Sequence, residues 1–361
     1  MKMTPRENLL SLYRRQGYEY VPAAINLCGE QMEVFAQKTG LAGWDKAYEY
    51  FGVPFLFVQD LLQNRPDPSE FMRYHSKKDI DDGISISEWG VGFDFSAGAH
   101  YRMIHPLAGD VSLDDLLSYP LLTLCHDNEA DQRREVEAIQ GAGLAAYGNL
   151  QCTVWETSWY IRGMEDLMMD MLTEDEKATV LMDIVTDISR ERAAAFARAG
   201  VDILFLGDDI GMQQSTMMST DLYRQWLKPR LAKVIQAARE EKPDILIQYH
   251  SCGYVEPFIE DLIEAGVDIL NPVQPECMSF AGLHARYGDR LSFNGVLGTQ
   301  STMPFGTPEE VRQVVFESLD IAGEKGGLLC CPTHEVEPDV PWENIAAYWE
   351  ACKEYTAKKL K

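Results

Sequence analysis

The sequence predicts an α/β protein built as a (β/α)8 TIM barrel, with an N-terminal elaboration made of helices and a β-hairpin. Two observations predict this class. From about residue 143 onward, short apolar runs alternate with long amphipathic runs, which is typical of repeated βα units. No Gly-x-Gly-x-x-Gly motif follows a predicted strand, which weakens the alternative of an open doubly wound sheet. We therefore expect one domain over residues 1–361, with the elaborated part in 1–142 and the regular repeats in 143–361.

Brief apolar runs, often introduced by glycine, are predicted to be buried parallel strands. They cover residues 20–27, 143–150, 201–206, 244–249, 267–270, 290–293 and 327–331. An eighth strand must come from residues 50–142. Within that region, residues 83–104 alternate apolar and polar positions with glycine turns, which predicts an antiparallel hairpin outside the barrel.

The predicted helices begin at capping patterns and several end at glycine. The starts are the capping boxes at 4–7 and 173–176, Ser219 or Thr220, Val255, and Thr307 followed by Pro308 and two glutamates. The helix that begins at 173–176 is expected to reach about Ala199 and to end at Gly200. The helix that begins at Ser219 is expected to reach about Glu240. The helix that begins at Val255 is expected to reach Ala265 and to end at Gly266.

The composition excludes several classes of partner. The chain has 57 acidic and 32 basic residues, a net charge of −25, so nucleic acid and anionic membrane surfaces are poor candidates. No apolar stretch approaches the roughly 20 residues that span a bilayer, and the first ten residues do not resemble a signal peptide. We expect a cytoplasmic protein. Its eight cysteines contain no CxxC pair, so they are expected to be buried residues, catalytic groups or metal ligands.

Polar side chains follow nearly every predicted strand. They include Asn26, Glu156, Asp208, Asp209, His250, Cys252, Asn271, Gln274, Asn294, Cys331 and His334. Because the chemistry of such barrels collects at the C-terminal ends of the strands, this convergence predicts an active site. Asn26, Asn271, Gln274 and Asn294 are the candidates for binding substrate.

His250 and Cys252 are the strongest candidates for holding a metal. In an extended backbone residues i and i+2 project to the same side, and imidazole and thiolate are ligands that zinc favours. The third ligand would come from the last strand, with His334 or Cys331 as candidates. The alternative is a hydrogen-bonded histidine beside a buried cysteine.

Three carboxylates are candidates for catalysis. Asp208 and Asp209 can orient a ligand, bind substrate or act as an acid or base; alternatively, one of them caps backbone N–H groups of the turn at Gly211. Glu156 precedes an aromatic helix start and could contact substrate or simply be a helix N-terminal charge.

Six motifs occur in an order that resembles the uroporphyrinogen decarboxylase superfamily. They are GDDIG at 207–211, HSCG at 250–253, NPVQ at 271–274, FGTPEE at 305–310, PTH at 332–334 and PDVPWENI at 338–345. The resemblance implies a (β/α)8 barrel and one of two activities, porphyrinogen decarboxylation or cobamide-dependent methyl transfer.

Two local features distinguish the decarboxylase branch of this superfamily from the methyltransferase branch. True decarboxylases carry an arginine-rich N-terminal segment that grips the porphyrinogen carboxylates, whereas residues 21–30 here contain no arginine. The sequence His-x-Cys-Gly is similar to the methyltransferase branch, in which a histidine, a cysteine and a later cysteine bind zinc. Here the later position is His334, with Cys331 just upstream, so the third ligand stays open.

The resemblance therefore implies a zinc-dependent methyltransferase that moves a methyl group between a small thiol, methyl ether or methylamine and a small corrinoid protein. The sequence lacks the corrinoid-binding motif Asp-x-His-x-x-Gly, so methylcobalamin or another corrinoid is expected to come on that partner. One alternative is a metal-independent decarboxylase of a uroporphyrinogen-like tetrapyrrole, with Asp208 or Asp209 at the pyrrole N–H groups. A second is a non-catalytic protein that binds a tetrapyrrole or corrinoid.

Overall fold

The computed structural model describes residues 2–75, 83–96 and 102–359. The strands within these ranges are β1 Phe55–Val58, β2 Gln63–Asn64, β3 Ile84–Ile86, β4 Gly92–Asp94, β5 Arg102–Ile104, β6 Thr123–Leu124, β7 Ala145–Gln151, β8 Ile203–Gly207, β9 Leu246–His250, β10 Ile269–Asn271, β11 Ser292–Asn294 and β12 Leu328–Leu329. Short 3-10 helices lie at Met72–Tyr74, His126–Asn128 and Glu256–Phe258.

The α-helices alternate with the strands from β7 onward. They are α1 Pro5–Tyr13, α2 Gly29–Thr39, α3 Trp44–Phe51, α4 Pro68–Phe71, α5 Leu113–Leu117, α6 Glu129–Gly141, α7 Trp155–Arg162, α8 Met164–Leu172, α9 Glu176–Ala199, α10 Thr220–Trp226, α11 Lys228–Glu241, α12 Ile259–Ala265, α13 Phe280–Tyr287, α14 Thr302–Phe305, α15 Pro308–Ala322 and α16 Trp342–Lys359. None of the described helices is both long and apolar enough to cross a lipid bilayer.

One parallel sheet organises the molecule. Its strands follow the order β1-β7-β8-β9-β10-β11-β12, with helices in the connections. All six strands predicted after residue 142 form, and the α/β class with its parallel βα repeats is confirmed. Smaller antiparallel elements lie apart from this sheet, namely the pair β2-β6 and the three-stranded β3-β4-β5. The latter confirms the predicted hairpin, although residues 97–101 of it lie outside the described residues.

The strand predicted at residues 20–27 does not form. In this segment one isolated parallel bridge forms, between Leu27 and Val336. Its backbone groups bond instead to side chains of α16: the Tyr348 hydroxyl accepts from the Ala24 N–H at 3.0 Å, and Thr356 Oγ1 accepts from the Val21 N–H at 2.9 Å. The strand expected from residues 50–142 does form: it is β1, which pairs with β7.

Two helix predictions need correction. The helix expected from Ser219 to about Glu240 is divided into α10 and α11, because Pro229 lacks the N–H that would continue the first helix. The cap of α9 is Asp175 and not Thr173, since the Asp175 carboxylate accepts from the Lys177 N–H at 2.9 Å. The Thr173 hydroxyl donates to the Met169 carbonyl.

Four of the other predicted helix ends are confirmed. Thr4 and Thr307 form complete capping boxes. Gly200 and Gly266 end their helices in the left-handed conformation, which glycine adopts without a steric penalty.

Helix α1 covers the N-terminal ends of the strands. The Gly327 N–H donates to the Leu12 carbonyl at 2.8 Å, and the Ser292 hydroxyl donates to the Tyr13 carbonyl at 2.7 Å. The buried Tyr13 ring reaches between the strands, where its hydroxyl accepts from Asn294 Nδ2 at 3.0 Å. The side chains at the opposite, C-terminal ends of the strands are therefore the ones available to solutes.

The buried Asp202 carboxylate ties α1 to the sheet. Arg6 donates to both of its oxygens, at 2.9 and 2.7 Å, and the Ala146 N–H and Gln140 Nε2 donate at 3.0 and 3.1 Å. A buried carboxylate is stable only when its oxygens are paired in this way.

We expect Asp202→Ala to lower the free energy of unfolding by about 2–3 kcal/mol, because it leaves a buried N–H and part of a guanidinium without an acceptor. Urea denaturation measures the change. The control is Asp187→Ala, which removes an exposed carboxylate paired with Arg190 and should cost less than about 0.5 kcal/mol. Equal losses in the two variants would contradict a structural role for Asp202.

Candidate active site

The C-terminal ends of the strands surround an open cavity of about 540 Å³. Each barrel segment contributes at least one wall residue, as shown by Asn26, Phe55, Asn149, Phe205, His250, Asn271, Asn294 and Cys331. The extended segment around Asn26 therefore lines the same space as the seven paired strands. This space is called the interior cavity below.

A second cavity of about 370 Å³ lies over the loops that follow β8 to β12. It shares Thr333, His334 and Glu335 with the interior cavity. His250 faces the interior cavity and Cys252 faces this outer cavity. The His250 and Cys252 side chains therefore stand at the boundary between the two spaces.

Three potential metal ligands meet at that boundary. The ligand atoms of Asp209, His250 and Cys252 all lie within 4.8 Å of one another. Cys252 Sγ is 3.5 Å from His250 Nε2, which is 3.7 Å from Asp209 Oδ1. Asp209 Oδ1 also accepts from the Cys252 N–H at 2.8 Å. Among the described residues this is the one group of three acidic, histidine or cysteine side chains with that spacing.

Glycine at position 207 makes room for the His250 side chain. A Cβ built on Gly207 would lie 2.7 Å from the Cβ and from the carbonyl oxygen of His250. Gly207 and His250 are neighbours in register on β8 and β9. Any larger residue at position 207 would therefore displace the imidazole.

Two further glycines bring the loops after β8 and β9 into backbone contact. A Cβ on Gly211 would lie 2.6 Å from the Cys252 carbonyl oxygen, and a Cβ on Gly253 would lie 2.7 Å from the Met212 carbonyl oxygen. Gly253 also has a φ of +82°, which side-chain-bearing residues rarely adopt. The Tyr254 N–H donates to the Met212 carbonyl at 2.8 Å. Through these contacts the loop that carries Asp209 packs directly against the loop that carries Cys252.

Amide side chains from β10 and its loop orient the cluster. Asn271 Oδ1 accepts from His250 Nδ1 at 2.7 Å, so Nδ1 carries the proton and the Nε2 lone pair faces Cys252 and Asp209. Gln274 Oε1 accepts from the Gly253 N–H at 3.0 Å. Asn271 also lines the interior cavity and Gln274 the outer cavity. Substrate contacts of these two residues remain a prediction.

Burial in the protein disfavours the charged forms of both Cys252 and His250. Burial, and secondarily Asp209, raises the pKa of the Cys252 thiol to about 12. Burial lowers the pKa of His250, against an opposing effect of Asp209. A divalent cation would stabilise both the thiolate and the neutral imidazole, and so would supply the charge that this site lacks.

The two other candidate carboxylates lie behind the cluster. Asp208 caps α7: its oxygens accept from the Val154 N–H at 3.1 Å and the Glu156 N–H at 2.9 Å. Capping is one of the alternatives considered above, but the capped group is α7 and not the turn at Gly211. Glu156 is 8% exposed and accepts from the Tyr160 hydroxyl at 3.1 Å. Burial and Asp209 raise the pKa of Glu156 to about 7.

The remaining predicted site residues are dispersed around the cavities. Cys331 is buried and its Sγ lies 3.1 Å from Asn294 Oδ1, inside the barrel. Asn294 in turn donates to Tyr13 and Gln248. His334 is exposed at the rim that both cavities share. Neither Cys331 nor His334 belongs to the three-residue cluster, in which Asp209 is the third member.

Sequence reasoning missed an aromatic wall in the interior cavity. Phe55 and Phe57 come from β1, and their alternation in the sequence was the available signal. The Phe57 ring lies 6.0 Å from that of Phe205, which lies 5.9 Å from the His250 ring. The acidic Glu335, at the rim of both cavities, was also not singled out.

The second half of the chain matches a known family. The family model described as uroporphyrinogen decarboxylase (URO-D) matches residues 152–355, which is more than half of the chain. A methylated-thiol–coenzyme M methyltransferase of Methanosarcina mazei is 31% identical over 207 residues, which cover 54% of this chain and 49% of that protein. A uroporphyrinogen decarboxylase of Nostoc punctiforme is 26% identical over 183 residues, covering 49% of this chain and 48% of that protein.

The fold is similar over nearly the whole length to a solved structure. A methyltransferase from Methanosarcina mazei superposes with a TM-score of 0.67 at 18% identity and covers 98% of this chain and 99% of that one. In sequence, the chain spans about half the length of the curated relatives it matches.

We expect Gly211→Ala to loosen the cluster, because the added methyl group cannot fit against the Cys252 carbonyl oxygen. The free energy of unfolding should fall by about 1–3 kcal/mol. The loop carrying Cys252 should also lose amide-exchange protection, which hydrogen-exchange mass spectrometry measures. The control is Gly29→Ala, where nothing lies within 4 Å of the added Cβ. Equal behaviour of the two variants would contradict the proposed loop contact.

Proposed function

Since the chain belongs to the uroporphyrinogen decarboxylase family, we propose that it is a zinc-dependent methyltransferase that exchanges a methyl group between a small substrate and a separate corrinoid protein. The cluster of Asp209, His250 and Cys252 at the mouth of the interior cavity carries this proposal. The similarity to the Methanosarcina mazei methyltransferase, whose name states a methylated-thiol substrate, supports the same branch of the family.

The three residues fit zinc. A tetrahedral site with Zn–N and Zn–S bonds of about 2.0–2.3 Å has its ligand atoms roughly 3.3–3.8 Å apart. The separations of 3.5 Å from Cys252 Sγ to His250 Nε2 and 3.7 Å from His250 Nε2 to Asp209 Oδ1 fall in that range. We propose His250, Cys252 and Asp209 as the ligands. Three protein ligands leave one open position, as catalytic zinc sites require.

When bound, zinc supplies Lewis acidity, which lowers the pKa of a thiol or stabilises the leaving group of a methyl donor. The residues around it have separate tasks in this proposal. Asn271 fixes the tautomer of His250, and Asp208 fixes the loop before α7 through its N–H contacts. Burial raises the pKa of Glu156 to about 7, so this carboxyl group next to the cluster is partly protonated at neutral pH.

The outer cavity suits the approach of a corrinoid carried by a partner. Amide side chains from three loops meet across it: Gln213 Nε2 donates to Gln300 at 2.9 Å, and Gln274 Nε2 donates to Gln213 at 3.4 Å. Cys252 opens onto the same space. A methyl group could therefore pass between this side and a substrate in the interior cavity without either ligand having to leave.

The main alternative, decarboxylation of a porphyrinogen, needs cations for the substrate carboxylates. Among the described residues that line the interior cavity, none is lysine or arginine, and Glu335 adds a negative charge. This composition favours the methyltransferase over the decarboxylase.

Metal analysis tests the ligand set. Wild-type protein should contain stoichiometric zinc, and Cys252→Ala and Asp209→Ala should each lower zinc affinity by at least roughly 100-fold, since each removes one of three ligands and loss of a residue that only orients a ligand already costs roughly 10- to 100-fold. Plasma emission spectroscopy and competition with a chelator provide the measurement. The matched thiol control is Cys277→Ala, which should retain zinc.

His334→Ala separates the two candidates for the third ligand. If this variant loses zinc while Asp209→Ala keeps it, His334 is the ligand and the proposed set is wrong.

Removal of the metal tests the reaction. After dialysis against a chelator, methyl transfer from a methylated thiol or methyl ether to free cob(I)alamin should fall by at least about tenfold and return with added zinc. Ultraviolet–visible spectra follow the corrinoid. Decarboxylation of uroporphyrinogen that survives the same treatment would contradict the proposal and support the decarboxylase.

A further inference from the structure

We propose that Gln274 is a positioning residue of the metal cluster, which fixes the peptide group after Cys252 and so aims the Cys252 thiol toward the other proposed ligands. This inference rests on the proposed zinc site and deepens it. It gives Gln274 a role different from the substrate binding that the sequence predicts. Three observations support it: the hydrogen bonds on both sides of Cys252, the direction of the amide groups around Gln274, and the place of Gln274 relative to the two cavities.

Both peptide groups that flank the Cys252 Cα atom are held by side chains. The Cys252 N–H donates to Asp209 Oδ1 at 2.8 Å. The Gly253 N–H donates to Gln274 Oε1 at 3.0 Å. Because the two planar peptide groups define φ and ψ of Cys252, holding both of them also sets the direction of its Cα–Cβ bond. The side-chain torsion χ1, which has three staggered positions, then places Sγ.

Gln274 is the anchor that does not depend on a metal ion. Asp209 is itself a proposed ligand, so one carboxylate serves both the Cys252 N–H and the metal. Gln274 is 5% exposed, and the Gly253 whose N–H it accepts is buried. Leaving a buried N–H without an acceptor costs more free energy than the hydrogen bond itself contributes. Without Gln274 this peptide group would therefore turn toward another acceptor, and Cys252 would turn with it.

The neighbours of Gln274 fix the direction of its amide group. Gln274 Nε2 donates to Gln213 Oε1 at 3.4 Å, and Gln213 Nε2 donates to Gln300 Oε1 at 2.9 Å. The Gly253 N–H can only donate, so it requires Gln274 Oε1, and Gln213 Oε1 can only accept, so it requires Gln274 Nε2. All three donors point away from Cys252, and hydrogen bonds aligned in this way strengthen one another. Gln213 thus acts on Cys252 through Gln274.

The place of Gln274 separates it from the proposed substrate. Gln274 lines the outer cavity and is not one of the described residues that line the interior cavity, where the proposed function places the substrate. Both ends of its amide group are already engaged by Gly253 and Gln213. The contacts of Gln274 therefore favour a role within the protein over a role in binding substrate.

Cobalt(II) in place of zinc tests this inference, because the thiolate-to-cobalt charge-transfer band reports on the bond from Cys252 to the metal. Gln274→Met keeps the length of the side chain and removes both of its polar ends. We expect this variant to bind cobalt(II) at least roughly tenfold more weakly, as loss of a residue that orients a ligand does, and to show a weakened and shifted band. Gln274→Glu keeps an acceptor for the Gly253 N–H and should show the wild-type band.

The matched control is Gln132→Met. Gln132 is 1% exposed, lies on α6 outside both cavities and donates to the Gln59 carbonyl at 3.2 Å. Both Gln→Met variants should lower the free energy of unfolding in urea, but only Gln274→Met should change the cobalt band. A wild-type band in Gln274→Met overturns the inference. An equal change of the band in Gln132→Met also overturns it, because the band would then follow stability alone.

Exposed variants decide the question if Gln274→Met does not fold. Gln213 is exposed. Gln213→Met removes the acceptor of Gln274 Nε2 and should weaken cobalt(II) binding about twofold, with a smaller change of the band in the same direction. Gln213→Glu keeps this acceptor and should show the wild-type band. Identical bands in the two Gln213 variants overturn the inference.

Further outcomes separate this inference from the proposed function. The band is assigned to Cys252 by its loss in Cys252→Ala. If wild-type protein binds neither zinc nor cobalt(II), the proposed function and this inference fall together. If Gln274→Met keeps the wild-type cobalt affinity and band and only raises KM for dimethyl sulfide in methyl transfer to free cob(I)alamin, Gln274 binds substrate. That result overturns this inference and leaves the proposed function standing.

Discussion

The backbone contact between the loops after β8 and β9 is the constraint on which the candidate site depends. Gly211 and Gly253 allow main-chain atoms of the two loops to approach to distances that a Cβ would forbid. The Ile210 N–H bonds to Ser251 Oγ at 3.0 Å, and the Cys252 N–H bonds to Asp209. These bonds form between neighbouring strand ends, so they fix the backbone positions of Asp209 and Cys252 relative to each other.

The first quarter of the chain completes the barrel in a less regular way. Helix α1 fills the end of the barrel opposite the site and brings Tyr13 into contact with Asn294 of β11. The extended segment near Ala24 closes the wall of the interior cavity, but α16 supplies its hydrogen bonds through Tyr348. Tyr48 of α3 and Phe57 of β1 project from the same region into the cavity.

The repeated part of the fold could be predicted because its signals are local. Apolar runs and helix caps are properties of a few adjacent residues, and all six strands after residue 142 form. Residues 20–27 were misassigned because their partners, Tyr348 and Thr356, lie over 300 residues away and leave no trace in a local pattern. The pairing of His250 with Cys252 followed from strand geometry. The position of the Asp209 carboxylate beside this pair depends on how two loops pack, which spacing along the chain does not specify.

The carboxylates of Asp208, Asp209 and Glu156 lie close together, and their surroundings affect each of them differently. Burial, and secondarily Glu156, raises the pKa of Asp208 well above its usual value, and the N–H groups at the start of α7 oppose this effect only in part. Glu156 is compensated by a raised pKa, so that it is partly neutral near pH 7. Asp209 has one backbone donor, from Cys252, and faces the neutral imidazole of His250. Burial therefore acts on the first two carboxylates through their pKa values, whereas Asp209 lies beside the Cys252 thiol, whose own pKa is raised; the proposed zinc would balance this arrangement.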